Sequence, residues 1–142
     1  MLNLSSLSLI PKETVSIRGM EVEVRGLSAH DVAACESMFM PPVLRGRTET
    51  EKEVFSADPE FQKKMRRYVR VQMALRAAAA AGITGKDGTA WSLSLSPEQA
   101  ERLADDVLST LTETEIGRID SVCRGLTEPK ASDIGTADVP GN

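Results

Sequence analysis

The sequence predicts a mainly α fold: about four helices, a small N-terminal β-hairpin and a flexible acidic C-terminal tail. Three observations predict it. Hydrophobic residues make up 41% of the 142 but aromatics only 4%, so the core is built from Leu, Val, Ile, Met and Ala, which suits helices better than stacked sheets. The stretch DPEFQKKMRRYVRVQMALRAAAAA, residues 58–81, runs on without a helix breaker after its own start. Cap signatures of the form Ser/Thr-x-x-acid or amide stand at Ser28, Ser96 and Thr112, each at the head of an apolar periodic run. The length fits one domain, placed at 1–126, with 127–142 as the tail.

Residues 1–13 read as a loose arm, with Leu2, Leu4, Leu7 and Leu9 separated by polar residues in no clear period. TVSIRGMEVEVRGL then reads as strand, turn, strand. Val15 and Ile17 alternate with polar neighbours, Arg18-Gly19 turns the chain, and Met20, Val22 and Val24 alternate again. A lone hairpin is marginal, so its apolar face has to lie on the helices or join the sheet of another copy.

Ser28 and Asp31 start the first helix, whose inward face is Val32, Cys35 and Phe39 with Met38 beside it, and Pro41-Pro42 ends it. Residues 43–57 are charged and lack a sustained period, which predicts a linker with one helical turn near Glu51 to Phe55. In the central helix Asp58 is the cap and Pro59 takes the first helical position, where its missing N–H costs nothing. Phe61, Met65, Tyr68, Gln72 and Leu75 or Arg76 follow at helical spacing, Met73, Ala77 and Ala80 widen the stripe, and Gly82 stops the run.

GITGKDGTA is a glycine-rich loop, and Trp91, Leu93 and Leu95 alternate with serines as a short strand or extended segment. Ser96, Pro97 and Gln99 open the third long helix, with Ala100, Leu103, Ala104, Val107, Leu108 and Leu111 on its face. Thr112 and Glu115 open the last, with Ile116, Ile119 and Cys123 inward and Gly125 as its stop.

The net charge is −4 but unevenly spread. Residues 43–76 hold nine basic against five acidic side chains, and residues 97–142 four against ten. Such a split steers an oppositely charged partner or lets copies meet head to tail. Lys63, Lys64, Arg66, Arg67 and Arg70 crowd the central helix. Positions 63, 66, 67 and 70 share one side, with Lys64 off that line. This is either a solvated face whose long stems cover apolar neighbours, or an electrostatic face for an acidic protein surface or nucleic acid. Met38, Phe39, Met40 and Leu44, around Pro41-Pro42, form a soft apolar corner: the core end of the first helix, or an adaptable groove for a partner helix.

No catalytic or cofactor set emerges. His30 and Asp31 are adjacent on a helix and do not face each other, GITGKDG lacks the spacing of a phosphate-binding loop, and the acidic runs lack the spacing of metal ligands. Cys35 and Cys123, without CxxC spacing, read as buried free thiols of a reduced cytoplasm. The N-terminus lacks the basic region of a signal peptide, and the chain lacks an apolar run of membrane-spanning length.

Residues 22–34, VEVRGLSAHDVAA, resemble the strand-to-helix opening of tail assembly chaperones from long-tailed phages and prophages. The order of elements extends that resemblance loosely to about residue 125, and the acidic pI of about 5.1 agrees with it. The charged stretch 43–57 and the alanine-rich helix have no counterpart in the family pattern. The resemblance implies a non-enzymatic assembly factor of the host cytoplasm, not retained in the virion. It binds and solubilises the tape-measure protein and helps recruit tail-tube subunits. Many family members also have a longer form made by frameshifting. The residues expected to bind partners are Met38, Phe39, Met40 and Leu44, with Val22 and Val24 pairing edge to edge between self-associating copies. The alternatives are a structural tail or connector protein of the virion, and a small helical nucleic-acid-binding regulator using the Lys63–Arg70 face. The net negative charge argues against the second.

Overall fold

Asp58 accepts the Glu60 N–H, Pro59 follows, and the chain then runs helical for 23 residues to Gly82, whose φ of 65° closes the helix in the left-handed region open to glycine. In the computed structural model, which describes residues 11–127, this rod is the third of five helices. The order is β1 (Lys12–Ile17), β2 (Met20–Arg25), α1 (Ala29–Ser37), α2 (Glu49–Ser56), α3 (Pro59–Ala81), α4 (Pro97–Thr110) and α5 (Glu113–Thr127). Residues 1–10 of the expected arm, and the expected acidic tail from residue 128, lie outside the described residues.

The C-terminal half of α3 is the centre of the core. Val71, Ala74, Leu75 and the run Ala77 to Ala80 are buried, and α3 packs on α1, α2, α4, α5 and β2. Small side chains let helices approach to the short end of the usual 8–10 Å, and Ala100 and Ala104 of α4 are buried likewise. Leu103, Val107, Ile116 and Ile119 fill the space between, each contributing about 1.5–3 kcal/mol by burial. Gln72 is the exception on this face. It is 5% exposed, and neither amide atom has a hydrogen-bond partner among the described residues, which costs about 1–3 kcal/mol.

The hairpin lies on the helices. β1 and β2 pair antiparallel with Val15 opposite Val22 and Ile17 opposite Met20. Arg18 and Gly19 turn the chain with φ of 52° and 79°, both positive, as a two-residue turn matched to strand twist requires. Ile17 and Val24 are buried, and β2 rests on α3 and α5. Arg18 is not glycine, and its turn is held from outside. Its guanidinium makes two 2.8 Å bonds to the Glu115 carboxylate and a third, of 2.9 Å, to the Thr110 carbonyl. Glu115 also closes the α5 cap reciprocally with Thr112.

Three expectations are corrected. The described residues form five helices, not about four: residues 49–56 are a full helix, because Thr48 and Glu51 make a complete capping box. The sequence showed only one turn of it, near Glu51 to Phe55, because the helix buries no residue and so has no apolar period. Trp91 to Leu95 is not a strand. The indole N–H of Trp91 donates to Asp31 on α1 at 3.0 Å, and a turn closes from Leu95 N–H to the Ser92 carbonyl. Finally, α5 runs through Gly125 to Thr127. Its last turn is fastened to the strand-to-helix junction: the Thr127 hydroxyl accepts the Leu27 N–H at 2.9 Å and donates to the Cys123 carbonyl at 2.7 Å. Gly26 makes the close approach possible, since a Cβ there would sit 3.2 Å from the Leu126 backbone.

Between α3 and α5 one buried ion pair interrupts the apolar packing. Asp120 is 2% exposed and takes two bonds from Arg76, of 2.8 and 3.3 Å, with Arg124 at 3.7 Å. Burial pulls the Arg76 guanidinium down, but the Asp120 hydrogen bond and charge outweigh it and leave Arg76 raised. Cys35 and Cys123 are buried free thiols; burial pushes Cys35 up to about 12 and raises Cys123 as well.

Asp120→Ala is expected to cost about 3 kcal/mol, the low end of the roughly 3–5 seen when one partner of a buried pair is removed, because Arg76 keeps some access to water. The check is the urea midpoint at unchanged slope; replacing both Arg76 and Asp120 by Leu should recover most of the loss.

A pH dependence follows from Glu115. Its bond from Arg18, with the Thr112 N–H next, holds the carboxyl at about 2 against an ordinary 4.5. A carboxyl lowered on folding stabilises fully above 4.5, and that contribution is lost as the pH falls through 2. Glu115→Gln is therefore expected to be less stable than the wild type near neutrality, with the two urea midpoints converging between these two pH values.

Candidate partner-binding surface

The N-terminal half of α3 is built differently from its C-terminal half. Lys63, Lys64, Arg66, Arg67 and Arg70 are exposed, and Phe61, Met65 and Tyr68 only half-buried. Two grooves flank it. The first, of about 610 Å³, lies where α3 meets the end of α4 and the start of α5. Met73, Leu108, Leu111 and Ile116 form its apolar part, and Lys63, Arg66, Arg67 and Arg70 line it from α3. The four side chains expected to share a side do so.

The second groove, of about 570 Å³, lies between α3 and the segment that leaves α1. Phe39, Met40, Pro42, Tyr68 and Val71 give it an apolar lining, and its charged border is mixed, with Lys63, Lys64 and Arg67 beside Glu60 and Glu101. Lys63 and Arg67 border both grooves. Arg67 is tied across to α4, at 2.7 Å from Asp105 and 3.3 Å from Glu101. These exposed pairs add roughly 0.2–1 kcal/mol each, but they fix the ridge between the grooves. Lys63, Arg66 and Arg70 have no acidic partner within salt-bridge distance among the described residues.

The six apolar candidates are dispersed. Phe39 and Met40 meet in the second groove, with Met40 84% exposed. Met38 is half-buried against the core, and Leu44, 43% exposed, lies outside the groove lining. Val22 is half-buried on the hairpin, and Val24 is fully buried, so its side chain belongs to this chain's own core. Of the β1 backbone, the Ser16 carbonyl is occupied by a 2.8 Å bond from Arg118.

Sequence reasoning missed Tyr68, read as part of the core stripe, Val71, which it did not single out, and Leu108 and Leu111, which it placed on an inward helix face. It also missed Val54, 71% exposed on α2. The capping box at Thr48 was the available signal, since a helix from 49 to 56 is what fixes where Val54 points.

The other polar candidates have local duties. His30 is exposed, while Asp31 serves Ser28 and Trp91. Asp105 and Asp106, in one of the acidic runs without metal-ligand spacing, are both engaged: Asp105 pairs with Arg67, and Asp106 accepts the Lys86 N–H at 2.9 Å and so pins the glycine-rich loop. Among the described residues no group of three or more His, Cys, Asp or Glu is placed to hold a metal ion, and no helix is long and apolar enough to cross a membrane. No known protein family, characterised protein or solved structure matches the chain.

Proposed function

We propose that this chain is a non-enzymatic binding protein of the tail assembly chaperone type. In this reading it keeps the long helical tape-measure protein of a tailed phage or prophage soluble and helps recruit tail-tube subunits. It works in the host cytoplasm and is left out of the finished particle. The observation that carries the reading is the second groove, where Phe39, Met40, Pro42, Tyr68 and Val71 leave an apolar trough open beside Lys63, Lys64 and Arg67.

An amphipathic helix lays anchors at i, i+3, i+4 and i+7 into such a trough, and a border of both signs, Lys63 and Lys64 with Glu60, offers partners to its polar flanks. The unbranched Met40 side chain repacks around different anchors, which suits a partner whose sequence varies along its length. The trough has room for only a turn or two of helix, so one contact is weak. A coat on a long rod gains its strength from many copies acting together. The resemblance of residues 22–34 supplies the identity of the rod, and the groove supplies the chemistry by which it is held.

The test is co-expression with the large coiled-coil tail protein, followed by affinity capture at moderate salt. A soluble complex with several copies of this chain per partner is expected. Met40→Asp is expected to lower capture at least about tenfold, or 1.4 kcal/mol, while shifting folding stability by less than about 0.5 kcal/mol, as is usual at an exposed position. An insoluble partner with nothing co-purifying, or undiminished capture by Met40→Asp, would overturn the reading. Recovery of the chain in purified particles would favour the virion alternative.

A further inference from the structure

The first groove has a complement on the same chain, in a place from which it cannot reach. Among the described residues, helix α2 packs against no helix or strand other than α3, and it buries no residue. Its anchor is Phe55 against Phe61, with ring centroids 5.0 Å apart. Its charged side chains are Glu49, Glu51, Glu53 and Lys52, and Val54 stands 71% exposed among them. The Glu51 carboxylate is occupied by the cap, and among the described residues Glu49 has only Lys52 of its own helix, at 3.8 Å. An acidic helix with an exposed apolar residue thus projects from the body. The first groove offers the reverse: Leu108, Leu111 and Met73 beneath Lys63, Arg66, Arg67 and Arg70, with Glu113 the single acid in its lining.

The two cannot meet within one molecule. At about 100° per residue, Phe61 lies roughly 140–180° around α3 from Lys63, Arg66 and Arg70. The contact to Phe61 therefore holds α2 on the far side of the rod, and only Ala57 and Asp58 join the two helices.

We infer that α2 of one copy seats in the α3–α4–α5 groove of a second copy, with Glu49 and Glu53 against Arg66 and Arg70 and Val54 over Leu108 and Leu111. Arm and groove are different surfaces on opposite sides of α3, so the contact is head to tail. It propagates as a ring or an open chain and does not stop at a dimer. An eight-residue helix is too small to bury the roughly 1,200–2,000 Å² of a stable interface. Association is accordingly weak, growing with concentration and falling with salt as the exposed charges are screened. The contact involves no tape-measure protein, so it stands or falls apart from the chaperone reading.

Sedimentation velocity on the full chain tests it, from about 10 µM to about 1 mM and at roughly 0.05 and 0.5 M salt. The wild type is expected to gain mass with concentration at low salt and lose it at high salt. A chain carrying Glu49→Lys with Glu53→Lys, and a chain carrying Arg66→Glu with Arg70→Glu, are each expected to stay monomeric. All four positions are exposed, and unchanged circular dichroism and melting would show that both variants fold. Mixed in equal amounts, the two variants regain complementary arms and grooves, and association is expected to return. A milder variant, Val54→Ser, should weaken it without touching charge. A monomeric wild type at every concentration would overturn the inference and leave the groove to a partner helix or nucleic acid. So would association that survives either charge reversal, or two folded variants that fail to associate on mixing.

Discussion

Everything in this molecule hangs on how closely other elements can approach the C-terminal half of α3. Ala74 and the run Ala77 to Ala80 are all buried, and their small size sets the distance at which α4, α5 and β2 pack. A larger side chain at any of them would push against a neighbour in a tightly packed interior. Because alanine also has the highest helix propensity, the same residues that permit the approach keep the rod straight enough to use it. A buried ion pair lies on this helix's margin: Arg76 reaches Asp120 where α3 meets α5. An ion pair there adds little over an apolar pair of like volume, but it is costly to break, so it favours one pairing of the helices over others.

The other half of α3 is freed by what the first half does. With the core settled beyond Val71, residues 60–70 need not be buried, and they carry the five cations and the rims of both grooves. The fold thereby joins a rigid end to an open one on a single helix. Sites borne on helices hold their geometry better than sites on loops. The second groove adds an exit segment from α1 to this rigid wall, and its exposed Met40 is free to adapt.

Much of this was legible in the chain. Local signals carried the hairpin turn at Arg18-Gly19, the caps at Ser28, Asp58, Ser96 and Thr112, and the inward faces of α4 and α5, and each has a short-range physical cause; of the expected α3 stripe Gln72 and Leu75 are buried, while Phe61, Met65 and Tyr68 are only half-buried. What stayed illegible depended on distant residues. Helix α5 outlasts Gly125 because Leu27 and Gly26, about a hundred positions earlier, meet its last turn. Trp91 follows Asp31 and not a strand period. Helix α2 was obscured for the opposite reason: it touches so little that no apolar period records it. The basic side of α3 was visible as a pattern, but the apolar floor beneath it comes from α4 and α5, and only folding brings the two together. The phrase at residues 22–34 gains a physical meaning in the same way. Gly26 allows contact with α5, the Leu27 N–H is taken up by Thr127, and Ser28 caps α1.

Residue-resolved amide hydrogen exchange on the full chain tests the division of α3 most directly. The amides of residues 74–80 are expected to exchange only through global unfolding, and those of α2 orders of magnitude faster through local opening. Equal protection in α2, or exchange of the alanine run through local opening, would contradict a core centred on the end of α3 with a weakly held arm at its start.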